Sequence, residues 1–147
     1  MQKKQVRILL TGLQVLLLAM QFLPAGRVAS EAGNEQEVSV FGMISLYAGA
    51  GFVKDAKAYL VISVAAPILI IFLLFVLRER LNFGAAACLS AFYLLSAACF
   101  FSAASRKMVN SFTTTDLHYL VVLASAISVV LACWGFCLCS PPSEKEG

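Results

Sequence analysis

Two glutamines, Gln14 and Gln21, lie seven residues apart inside an otherwise apolar stretch. That spacing is two helical turns, so both amides share one helix face. In hydrocarbon such an amide needs a partner, and the expected use is a hydrogen bond to another helix, worth roughly 0.5–2 kcal/mol. A polar path near Gln14, Gln21 and Pro67, a proline expected to kink its helix, is the alternative. The one histidine, His118, follows Asp116 closely at the start of another apolar stretch. A lone imidazole cannot assemble a metal site. It is expected to be an interfacial polar residue near a helix cap, with a pH-sensitive or metal-linked gate as the alternative.

The five cysteines, Cys88, Cys99, Cys133, Cys137 and Cys139, all sit inside or at the ends of apolar segments. They are expected to act as small apolar packing residues. Cys137 and Cys139 form only a C-x-C, without the second pair that a metal site requires; their acylation in a eukaryotic host is an alternative. HExxH, GxxxxGK[ST] and GxSxG motifs are absent, and serines such as Ser45 and Ser63 have no histidine placed as a base. Neither enzymatic activity, nor a cofactor, nor a bound metal is expected.

The elements that carry these residues are set by hydropathy. Hydrophobic residues make up 61% of the 147 and charged residues 13%, about half the usual charged share of a soluble domain. With a mean hydropathy of +0.87, lipid is a simpler solvent than water for this chain. A net charge of +3, scattered along the sequence, gives no nucleic-acid footprint. Four apolar stretches are expected to form transmembrane helices, at about 8–24, 58–77, 83–104 and 117–138. A helix needs about 20 residues to cross roughly 30 Å of hydrocarbon. The expected fold is therefore all-α, a left-handed four-transmembrane-helix bundle forming one domain over 1–147.

The first stretch has a second reading. Lys3, Lys4 and Arg7 precede an apolar run, and Val28-Ala29-Ser30 resembles a cleavage site, which is the layout of a secretory signal peptide. Retention as a helix is expected because apolar character continues through Phe22-Leu23. The connection 25–57 is expected to lie outside, with 38–52 as an interfacial or re-entrant segment over the bundle; a hairpin beginning at Val38-Ser39-Val40-Phe41 is the alternative. Arg78-Glu79-Arg80-Leu81-Asn82 is expected to be a tight charged turn. Thr115 or Asp116 should cap the last helix, and 139–147 should be a short cytoplasmic tail. Lys3, Lys4, Arg7, Arg78, Arg80 and Lys145 outnumber the basic residues of the other side by one, which favours both termini in the cytoplasm of a cell (inner) membrane protein. Tyr59 and Tyr119 are expected at one membrane face, Trp134 and Phe136 near the other.

Small residues four apart mark close helix packing. On the third helix these are Gly84, Ala87, Cys88, Ala91, Ala98 and Ser102; on the fourth they are Ala124, Ser128 and Ala132. The pattern does not separate internal packing from a homo-oligomer.

The layout resembles a diffuse group of small bacterial four-helix integral membrane proteins of unknown function. The resemblance is carried by the Phe22-Leu23-Pro24 step, the Gly/Ser-rich outer segment and the Arg78-Glu79-Arg80 turn, although Ala25 stands where such proteins often have Trp. It implies no catalytic site. The W-G-L-W signature and loop cysteine pair of claudin-like tetraspans are missing. A non-enzymatic accessory or scaffold subunit is the leading expectation, with the bilayer and another membrane protein or a second copy as partners. A small transporter or channel is the second reading, and a lipid-binding or sensing protein using 38–52 the third.

Overall fold

The computed structural model describes residues 2–29, 35–77, 79–107 and 112–139. Ser30, Arg78 and the tail from 140 onward, all invoked above, lie outside the described residues. The described residues are mostly helical and form five helices: α1 (Lys3–Met20), α2 (Val40–Gly49), α3 (Val53–Val76), α4 (Glu79–Lys107) and α5 (Leu117–Leu138). Of these, α3, α4 and α5 are long and apolar enough to cross a membrane. The 24 residues of α3 extend about 36 Å at 1.5 Å each.

The first helix departs from its expected bounds of 8–24. It starts at Lys3, where the Gln5 side chain accepts from the backbone N–H of Gln2 at 2.9 Å, and it stops at Met20, ahead of Pro24. Its three cations leave an apolar run too short to count among the membrane-length helices. The last helix keeps its expected bounds, α4 extends beyond its own at both ends, and α3 begins five residues earlier than expected and ends one residue sooner.

The all-α expectation is corrected by a three-stranded antiparallel sheet, with β1 (Pro24–Ala29) central between β2 (Glu35–Ser39) and β3 (Phe112–Thr114). Gly26 pairs with Val38 on one side and with Thr114 on the other. Pro24 takes the first position of β1, where a missing N–H costs the ladder least. Segment 38–52 is neither an open hairpin nor a single interfacial stretch. It finishes β2 and then forms α2, whose Ser39 cap accepts from the Gly42 N–H at 3.2 Å and whose Val40, Met43, Ile44 and Tyr47 are buried.

The long helices surround one core, in the order α1, α3, α4, α5 and back to α1. Each buries a seam with steps of three and four residues. On α4 this is Phe83, Ala86, Ser90, Tyr93, Ala97, Phe100 and Ala104; on α3 it is Ala56, Tyr59, Ser63, Ala66, Ile70 and Leu74. A repeat near 3.5 residues is the spacing of left-handed helix packing. The α3–α4 turn is tied by Asn82, whose Nδ2 donates to the Leu74 carbonyl at 3.1 Å. That satisfies one of the carbonyls left open at a helix end.

Candidate functional site

The polar residues of the core come from all four long helices, and α1, α4 and α5 supply the pairs that bond across. Gln14 Nε2 donates to Ser128 Oγ at 3.1 Å, and Ser128 in turn donates to the Ala124 carbonyl at 2.9 Å. Two turns further, at the C-cap of α1, Gln21 Nε2 donates to the Leu17 carbonyl and to Tyr93 Oη, both at 3.1 Å. Gln14 and Gln21 are both buried, and each joins α1 to another long helix. Among the described residues, Gln21 Oε1, Tyr59 Oη and Ser90 Oγ are buried without a hydrogen bond.

Around this layer, at the end where the sheet lies, stands an aromatic cluster. Tyr59 stacks on Phe100 with centroids 4.1 Å apart and planes 3° from parallel, and Tyr47 meets the edge of Phe100 at 5.5 Å. Tyr47 also stacks on Phe52 at 4.8 Å. Lys107 Nζ lies 4.0 Å from the Phe52 centroid and 3.8 Å from Asp55 Oδ2. This lysine thereby links the end of α4 to the start of α3. Tyr59 was expected at a membrane face. It is buried, its ring filling the space between α3 and α4. Tyr119 and Trp134 are exposed, and Phe136 is half-buried beneath the Arg80 guanidinium, 5.1 Å from its centroid.

No known family model matches this chain, and no curated protein or solved structure is significantly similar to it. Its geometry has to carry the functional argument.

The small residues singled out for packing divide between two environments. Ala124, Ser128 and Ala132 are buried on α5. On α4, Gly84, Ala87 and Ala91 are half-buried, whereas Cys88, Ala98 and Ser102 face outward. α4 and α5 fit tightly at Gly135, where an added Cβ would collide with the Phe83 ring. That contact was not anticipated, though Gly135 extends the four-spaced series Ala124, Ser128, Ala132 by a step of three. Tyr93 was missed as well, since a tyrosine amid alanines and leucines does not announce a hydrogen-bond partner.

Asp116 precedes α5 but its side chain makes no capping bond. Thr115 turns to the sheet instead: its N–H donates to the Ala25 carbonyl at 2.9 Å and its hydroxyl to that of Pro24 at 3.0 Å. His118 Nδ1 lies 2.6 Å from the Thr115 carbonyl, so this nitrogen carries the proton, a carbonyl being able only to accept. Its ring rests beside Phe101 and Tyr119. Pro67 is buried inside an α3 that continues through it. The cysteines are all free thiols, four of them exposed and Cys139 half-buried. Among the described residues, no three His, Cys, Asp or Glu side chains gather as a metal site would require.

Proposed function

We propose that this chain is a four-span integral membrane protein of the cell membrane that serves as a non-enzymatic accessory or scaffold subunit. In this reading α1 joins α3, α4 and α5 as the fourth span, with Lys3, Lys4 and Arg7 among the lipid headgroups. The termini are cytoplasmic and the sheet and α2 form a head on the opposite side. The observation that carries the reading is the pairing of Gln14 with Ser128 and of Gln21 with Tyr93. These amides act as ties between helices, as interhelical amides commonly do. The head, stitched from two separate connections by β1, offers a partner the outer edges of β2 and β3.

Affinity purification from native membranes tests this. A membrane protein recovered with the chain in constant ratio is the expected result; recovery as a solitary monomer overturns the assignment. Membership of the small bacterial group fits the same layout. For orientation, a membrane-impermeant thiol reagent on intact cells should label a cysteine introduced at Gln36 and spare Cys139.

A small transporter is the second reading, favoured by the unpartnered Gln21 Oε1, Tyr59 Oη and Ser90 Oγ inside the core. It requires solute flux in liposomes, and that flux must fall when Gln14 and Gln21 are both replaced by Leu.

A further inference from the structure

On the outward face of α4, in its half nearest the sheet, Ala98, Cys99, Ser102 and Ala103 floor a furrow of about 590 Å³, and Arg106 and Lys107 close its upper end. The two cations differ in what they already do. Lys107 is drawn aside, its ammonium held over Phe52 and beside Asp55. Arg106 is exposed and makes no ion pair among the described residues. Its guanidinium therefore stands uncommitted above an apolar furrow.

From Ala98 to Arg106 the helix rises about 12 Å, close to half of a hydrocarbon core roughly 30 Å thick. A lipid of a single leaflet has those proportions, with an acyl chain beneath a charged head. Guanidinium recognises phosphate with two parallel hydrogen bonds, and small side chains leave room for a chain to lie against the helix. A second copy on this face is disfavoured by charge. Two copies inserted in the same direction would bring Arg106 against Arg106 at the same depth.

We propose that this furrow seats an anionic phospholipid, its phosphate on Arg106 and one acyl chain along Ala98, Cys99, Ser102 and Ala103. The site goes beyond the scaffold role, since it lies on a face that none of the packed helices covers.

Native mass spectrometry of the full chain, titrated with phosphatidylglycerol or with phosphatidylcholine of identical acyl chains, tests the proposal. Phosphatidylglycerol is expected to be retained about tenfold better, the order of one charge-assisted contact. Arg106→Gln should abolish that preference, with the larger loss falling on phosphatidylglycerol because the choline ammonium of phosphatidylcholine already offsets the charge of its phosphate, and this exposed site can change without disturbing the core. Ser102→Phe, which fills the furrow, should reduce phosphatidylglycerol retention with Arg106 intact. Equal retention of the two lipids by the unaltered chain overturns the proposal. So does an equal loss with Lys54→Gln, which would signal diffuse attraction to charge. Efficient Cys99–Cys99 crosslinking in a bilayer would place a second copy in the furrow and overturn it as well.

Discussion

The two ends of the helical core are packed by opposite means. Toward the sheet, broad rings fill the space between elements: Tyr47, Phe52, Tyr59, Phe100 and Phe101 touch in sequence, with centroids 4.1–6.0 Å apart. At the far end the buried cluster is Val6, Leu10, Ile70, Leu74, Phe83, Ala86 and Ala132, and the Phe83 ring lies so close to Gly135 that this position has no room for a side chain. One end is therefore vulnerable to lost volume and the other to added volume. The glutamine layer lies between them.

That contrast fixes the order of expected effects. Phe100→Ala, which removes the ring shared by Tyr47 and Tyr59, should cost most, about 3 kcal/mol. Reversible unfolding in mixed micelles measures it, and an effect below that of the glutamine variants would dissolve the distinction. Gly135→Leu should destabilise by about 1–3 kcal/mol through overpacking against Phe83. Gly12→Leu, with nothing within 4 Å of its added Cβ, should leave stability unchanged by the same assay. In the middle layer, Tyr93→Phe removes the acceptor of Gln21 and should cost about 0.5–2 kcal/mol. The last effect has the opposite sign. Tyr59→Phe deletes an unpartnered buried hydroxyl and keeps the stacked ring, so stability should hold or rise by up to about 1 kcal/mol. A loss as large as that of Tyr93→Phe would mean that the Tyr59 hydroxyl has a partner after all.

The long helices α3, α4 and α5 were legible in the sequence because an unbroken apolar run near 20 residues leaves the backbone few alternatives. The glutamine pair was legible in kind, since a buried amide must be bonded, but Ser128 and Tyr93 as its partners follow only from how the helices are arranged. The packing face of α4 was legible only in part. Small residues are spread around this helix, so steps of four also select the outward Cys88, Ala98 and Ser102. The buried seam shows itself only when the large residues Phe83, Tyr93 and Phe100 are counted with Ala86, Ser90 and Ala97. The sheet was not legible at all. PAGRVA and EQEVS have no strong alternation of apolar and polar residues, and β3 is three residues long. These strands are specified by one another across distance, through β1, rather than by their own composition.

That long-range specification bears on biogenesis. β1 leaves the ribosome soon after α1, whereas β3 cannot join it until both α3 and α4 have been made. In a bilayer the two strands meet only if those intervening helices traverse it an even number of times, which carries both connections to the same compartment. A nascent chain in which one of them failed to insert would have its strands stranded on opposite sides, unable to pair. Closure of this small sheet therefore has to wait for the segments between β1 and β3 to take their places.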